Sequence, residues 1–160
     1  MMSALVTYFS ATGTTARVAR ELAGAIGADL FEIAPERPYT PADLDWNNKS
    51  SRSSREMADE GSRPAIAGRV DSMDAYDTVF VGFPIWWYVE PRIIDTFLET
   101  EAHDLAGKTV VPFATSGGSG LGRAPERMAA LVPEATVLEG RLLNGRLDAD
   151  ELRAWAEGAM

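Results

Sequence analysis

Apolar positions along this chain come in short β-branched and aromatic runs that alternate with segments of helical period. The first run, Ala4–Phe9, has too few polar positions for a half-exposed strand and reads as one buried on both faces. After a turn of Ser, Thr and Gly, Val18, Leu22 and Ile26 recur at i, i+4 and i+8, one face of a helix, with Gly27 placed as its C-cap. Asp29–Ile33 predicts a second strand, closed by Pro35 and Pro38. Thr78–Val81 leads through a loop to Ile93, Ile94, Phe97 and Leu98, the stripe of a helix that starts with Pro91 at its first position and ends near Glu99. Thr109–Ala114 leads through a glycine-rich loop to Met128, Leu131 and Val132. Thr136–Leu142 predicts a fifth strand. Asp148 to Glu151 carries a capping-box pattern that opens a last helix burying Leu152 and Trp155.

Strands that alternate with helices imply right-handed crossovers and a parallel sheet covered on both faces. Five of them in 160 residues predict a single α/β domain, residues 1–160: a three-layer sandwich with a five-stranded parallel sheet of order 2-1-3-4-5. Pro112 conflicts with this pattern, because an interior strand needs the N–H that proline lacks, so a bulge or distortion is expected there. The polar segment 35–70 has no clear period, although a helix around Ser54 to Glu60 is compatible with it. Within it, Asn47–Arg55 carries Lys49, Arg52 and Arg55 and no acid, which reads either as a solvated loop or as a local anion contact.

Composition narrows the chemistry. With 46% hydrophobic and 24% charged residues the chain is neither disordered nor fibrous. The absence of Cys excludes disulfide frameworks, thiolate zinc sites, Fe–S clusters and Cys nucleophiles. The single histidine, His103, excludes a multi-histidine metal centre and reads as a surface residue beyond a helix end. A formal net charge of −9 disfavours nucleic acid and anionic membrane and favours a basic partner protein. No stretch approaches the roughly 20 apolar residues of a membrane span. Met1–Ala4 carries no basic leader, so a soluble, cytoplasmic protein is expected.

Three loops carry candidate chemistry, all following strands that share one sheet edge. Ser10-Ala11-Thr12-Gly13-Thr14-Thr15 lies between the first strand and the first helix, where free helix-start N–H groups favour a phosphate. It contains no Lys or Arg, so a phosphate there is held by dipoles and hydrogen bonds alone. Neither GxxxxGK[ST] nor GxGxxG with a following acid occurs, which excludes a nucleotide-hydrolysing P-loop and argues against a standard dinucleotide fold. Phe83-Pro84-Ile85-Trp86-Trp87-Tyr88 reads as core plugs, a protein interface or one wall of a site for a flat heteroaromatic ring. Thr115-Ser116-Gly117-Gly118-Ser119-Gly120 reads as a flexible loop or as main chain that approaches a ligand closely. In a 2-1-3-4-5 sheet these loops meet at the topological switch point, and together they describe a site for a flat ring with a phosphate tail.

The residues resemble a known family. Ser10-x-Thr12-Gly13-x-Thr15 is similar to the phosphate loop of flavodoxins, which bind flavin mononucleotide (FMN). Gly82–Trp87 with Pro91–Ile94, and Phe113–Gly122, are similar to the short bacterial flavodoxin-like proteins. The resemblance implies non-covalent FMN with its phosphate at Ser10, Thr12, Gly13, Thr14 and Thr15. It also implies a ring contacted by Pro84, Ile85, Trp86 and Trp87 on one side and by Thr115, Ser116, Gly117, Gly118 and Ser119 on the other. Electron-carrying flavodoxins have a glycine in the ring-side loop that lets a peptide flip. Here Tyr88 follows Trp87 and the next glycine is Gly107, so positive φ in this loop is expected to be disfavoured by roughly 1 kcal/mol or more, with less support for half-reduced flavin.

The function these readings predict is an FMN-binding electron-transfer protein with no catalytic side chain of its own, serving a basic redox partner at rates that fall with salt. One alternative is an NAD(P)H-dependent FMN oxidoreductase acting on quinones or azo compounds, with the Lys49–Arg55 segment meeting the nicotinamide dinucleotide. Another is a flavin-free interaction module that uses Trp86 and Trp87.

Overall fold

The computed structural model describes residues 3–116 and 118–160. Its sheet contains β1 (Ala4–Tyr8), β2 (Asp29–Glu32), β3 (Thr78–Pro84), β4 (Thr109–Thr115) and two short strands, β5 (Thr136–Val137) and β6 (Arg141–Leu142). All pairings are parallel in the order β2-β1-β3-β4-β5, with β6 also on β4, as expected for the flavodoxin-like α/β topology. The helices are α1 (Thr14–Ile26), α2 (Arg52–Ala58), α3 (Arg92–Leu105), α4 (Ala124–Leu131) and α5 (Ala149–Ala159).

Successive strand side chains point to opposite faces, so each strand feeds two cores. Leu5, Val79, Val81, Phe83 and Val110 pack with Ile93, Ile94, Phe97 and Leu98 of α3 and Met128 of α4. Val6, Tyr8, Phe80, Val111 and Phe113 pack on the other face with Val18 and Leu22 of α1 and Leu152 and Ala156 of α5. Near-continuous hydrophobic runs in β1, β3 and β4 are the signature of strands covered on both sides.

Element ends differ from the periodicity in informative ways. Pro91 is the N-cap of α3, and the helix runs on to Leu105, so exposed His103 sits in its last turn instead of beyond it. Trp155 is half-buried, its ring edge-on to Phe80 at 5.7 Å. In the polar segment α2 begins at Arg52, because the Ser51 hydroxyl accepts the Ser54 N–H and starts the helix earlier than hydrophobic period reveals. Asn47–Arg55 is therefore not a solvated loop throughout: Ser51, Arg52 and Ser53 are buried.

Pro112 leaves its mark on a neighbour. β4 pairs without interruption along β3, with Pro112 opposite Val81. The carbonyls of Lys108, Val110 and Ala114 instead accept N–H groups from Thr136, Leu138 and Leu143 at 2.9, 3.0 and 2.8 Å. Even-numbered residues of β4 thus direct their backbone groups to the outer edge, and the N–H missing at Pro112 is missing there. At that point the expected fifth strand is split into β5 and β6. Gly140, at φ +75°, lays its backbone so close that a Cβ would sit 2.1 Å from the Pro112 oxygen. The expected distortion exists, on the edge strand and not in β4. Among the described residues, no helix is long and apolar enough to cross a membrane.

Candidate functional site

The turn after β1 presents donors. Ser10 Oγ accepts the Gly13 N–H at 3.1 Å, which folds the turn back on itself. Gly13, at φ +93°, caps α1 through its backbone, and no side chain caps the helix. The hydroxyls of this turn therefore do not serve as caps, and the first-turn N–H groups keep their free valences. No acid lies in that first turn, and a Cβ on Gly13 would meet nothing within 4 Å. Exposed N–H and hydroxyl donors around open space, at the positive end of a 13-residue helix, are a donor set for an anion.

The loop after β4 is tied down from two sides. Thr115 Oγ1 and Thr15 Oγ1 share a buried hydrogen bond of 2.8 Å, linking this loop to the start of α1. The Asn144 carboxamide accepts the Ser116 N–H at 2.9 Å and donates to the Ser116 carbonyl at 2.8 Å, standing in for the strand partner that β6 no longer provides. Ser116 Oγ accepts the N–H groups of Gly118 and Ser119 at 3.2 and 2.9 Å.

The loop after β3 closes as a two-residue turn, with reciprocal Trp86–Val89 backbone bonds of 3.0 and 3.1 Å. Its central residues, Trp87 and Tyr88, adopt φ of +49° and +67°. This corrects the expectation that a glycine-free loop avoids positive φ: the backbone already carries that cost, roughly 1–2 kcal/mol per residue. The turn is held from behind. Trp86 packs edge-on against Phe9 and Tyr39 at 5.6 and 5.4 Å, Glu90 is fully buried, and the Gly122 backbone lies against the Tyr88 carbonyl. Trp87 and Tyr88 remain 45% and 74% exposed.

These loops enclose a cleft of about 690 Å³, which adjoins a smaller one of about 320 Å³. Thr12, Thr14, Thr15, Thr115 and Ser116 line the smaller end together with Asn144. Pro84, Ile85 and Trp86 are common to both, while Trp87, Gly118 and Ser119 line the larger end. Ser10 and Gly13 line neither; they shape the turn behind the wall. Gly117 lies outside the described residues. Sequence reasoning missed Asn144, Leu44 and Trp46; Ala11, Tyr88 and Ser53 fall within runs it singles out but are not among its site residues. A tryptophan stranded in a polar stretch is the signal that could have pointed to Trp46.

One of the three cations of the basic segment is occupied elsewhere. Arg52 gives Nε to Glu56 at 2.9 Å and a terminal nitrogen to the Arg37 carbonyl at 2.7 Å, with its guanidinium 3.8 Å above the Tyr39 ring. Burial, and then the bond its hydroxyl donates to Glu56, push the Tyr39 phenol well above its ordinary range. Lys49 and Arg55 are exposed. Among the described residues no cluster of His and acids could hold a metal ion.

Comparison with known proteins extends this geometry. A family model described as flavodoxin matches residues 3–159. A crystal structure of a candidate flavoprotein from Bacteroides eggerthii is 55% identical, with a TM-score of 0.93 over 99% of this chain and 98% of that one. A candidate flavoprotein from Bacteroides uniformis is 47% identical, with a TM-score of 0.88 over 98% of each chain. A flavoprotein from Lactobacillus acidophilus, crystallised in complex with FMN, shares the fold at 20% identity, with a TM-score of 0.76 over 98% of this chain and 99% of that one. No curated protein matches the chain.

Proposed function

The chain belongs to the flavodoxin family, and from that premise we propose that it binds FMN non-covalently in this cleft and serves as an electron-transfer flavoprotein. The observation that carries the reading is the continuity of an acid-free helix start without a side-chain cap with an aromatic-walled cleft through one shared set of lining residues. The residues present fit the group. Thr12, Thr14 and the first-turn N–H groups of α1 are placed for the phosphate. Pro84 to Trp87 would face the ring from one loop, and Ser116, Gly118 and Ser119 from the opposite one. When bound, the flavin supplies the redox chemistry, and the protein supplies binding, orientation and exclusion of water.

Among the described residues, the cleft lining contains no His, Lys, Arg, Asp or Glu. It offers no general acid or base near neutral pH, which suits electron transfer. Of the support for a nicotinamide-dependent enzyme, Arg52 is buried within its own segment, leaving Lys49 and Arg55. The formal charge of −9 favours a basic redox partner with salt-sensitive association.

One cuvette experiment tests the reading. The purified protein is expected to take up one FMN per chain, with a perturbed flavin spectrum and quenched flavin fluorescence. NADPH alone should leave that flavin oxidised, whereas a reductase protein should reduce it at a rate that falls with ionic strength. Rapid NADPH oxidation with a quinone and no reductase decides for the oxidoreductase. Failure to take up FMN decides against both and for an interaction module.

A further inference from the structure

Directly behind the aromatic turn lies a pair of buried acids with unequal surroundings. Glu90 is completely buried, and its Oε2 accepts the Arg127 Nε–H at 3.3 Å. Asp95, in the first turn of α3, is also buried, with Oδ2 at 3.6, 3.9 and 4.0 Å from guanidinium nitrogens of Arg92, Arg63 and Arg127. As carboxylates, Glu90 Oε1 and Asp95 Oδ1 have no hydrogen-bond partner among the described residues. The surrounding charges are accounted for by element. Arg92 of α3 directs its other donors to the carbonyls of Glu56, Met57 and Asp59 at the end of α2. Arg127 of α4 also meets Glu60, at 3.1 Å, and Arg63 also meets Glu99, at 2.8 Å. Among the described residues, three guanidinium groups thus stand near Asp95, while Arg127 alone reaches Glu90.

Two buried carboxyls that meet the same guanidinium, that of Arg127, each with one orphaned oxygen, are satisfied together by a single proton, because a carboxylic acid donates where a carboxylate can only accept. The charge distribution says which acid keeps it: Asp95 stays ionised among three cations, and Glu90 is the donor. We propose that Glu90 holds a proton, donates it in a hydrogen bond to Asp95 Oδ1, and through that bond is the positioning residue that keeps the strained Trp86–Val89 turn against the ring side of the cleft.

Glu90 is one peptide beyond this turn, whose central residues are both at positive φ without glycine, so the turn persists only if its ends are fixed. Ionising Glu90 would place two anions side by side and push on that end. Burial, and then the bond and the charge of Asp95, raise the Glu90 carboxyl to about 8. An acid whose folded value is raised stabilises the fold fully below its unfolded value, and that contribution is lost as pH rises toward the folded value. The window here runs from the ordinary carboxyl range up to about 8.

The proposal rests on the FMN reading for its ligand but not for its proton, and the test separates the two. Thermal stability and tryptophan emission of the flavin-free protein, and the FMN dissociation constant, are followed from about pH 5 to about pH 9.5 in wild type and Glu90→Gln. The carboxamide can donate to Asp95 and accept from Arg127 without titrating. In wild type, stability should fall through the window, emission should shift with a midpoint at its upper end, about 8, and the dissociation constant should rise by up to about tenfold per pH unit above it. All three dependences should be absent in Glu90→Gln. Superimposable profiles for the two proteins overturn the proposal. A pH-dependent stability beside a pH-independent dissociation constant overturns the positioning role. If no FMN binds at any pH, the FMN reading falls, and the emission profile alone decides: a midpoint shared by both proteins overturns the proposal, and one confined to wild type upholds it. Should Glu90→Gln fail to fold, the infrared band of a protonated carboxyl in neutral wild-type protein supports the shared proton, and its absence contradicts it.

Discussion

Replacing Thr12 by Asp and Gly13 by Val together is expected to weaken FMN binding by roughly a hundredfold to a thousandfold while leaving a folded protein. A carboxylate at position 12 would stand at the phosphate end of the cleft and compete with the ligand for the same helix-start N–H groups. At about 4 Å and a surface-like effective dielectric, two such charges repel by up to roughly 4 kcal/mol. Val at position 13 has to adopt φ near +93°, where a β-branched side chain is strained by about 1–2 kcal/mol or more, and relieving that strain re-aims the donors. The fold should tolerate both changes. Thr12 is exposed, and the Cβ added at Gly13 meets nothing within 4 Å. An acid beside the N-terminus of α1 is itself worth about 0.3–1 kcal/mol in favour of the helix, which partly offsets the strain. Flavin fluorescence titration measures the affinity and chemical denaturation measures the fold. Unchanged affinity would mean that this turn is not where the phosphate sits.

The largest expected effect on stability lies at the split edge strand. Gly140→Ala should cost about 3–4 kcal/mol, combining strain at positive φ with a forced displacement of the β4 backbone. In a protein of this size that lowers the melting temperature by roughly 10 °C. The added carbon would begin 2.1 Å from the Pro112 oxygen and 2.9 Å from its carbon, both main-chain atoms that cannot swing aside. Gly145→Ala is the control: it shares positive φ, at +70°, but a Cβ there meets nothing within 4 Å, so only the conformational strain of about 1–2 kcal/mol remains. Thermal melts of the two variants, compared at equal protein concentration, isolate the close approach. Equal losses would show that Gly140 is required for its φ alone and that the Pro112 contact is incidental.

The architecture was largely legible because its strands are covered on both faces. Ala4–Phe9, Thr78–Val81 and Thr109–Ala114 had to be interior strands, and the helical stripes between them supplied the covering layers. Most of the cleft followed from strand order alone, since loops after β1, β3 and β4 must meet at one edge. What escaped was tertiary. Asn144 follows a strand too short to announce itself, and its role is to hold Ser116 where Pro112 has interrupted the ladder. Trp46, Leu44 and Ser53 come from a segment without hydrophobic period, ordered by Ser51 capping and by Arg52 folded over Tyr39. The positive φ of Trp87 and Tyr88 runs against local preference and is imposed by the elements behind the turn. Propensity alone points the other way at such a position.

FMN binding in this cleft requires one joint cradle built from three separate loops. Its most direct test is an amide spectrum of isotopically labelled protein titrated with FMN. The signals of Thr12 to Thr15, Ile85 to Tyr88 and Ser116 to Ser119 should move together and saturate at one equivalent, with the remainder of the sheet largely still. Perturbations confined to one loop, or centred on another face of the protein, would contradict it.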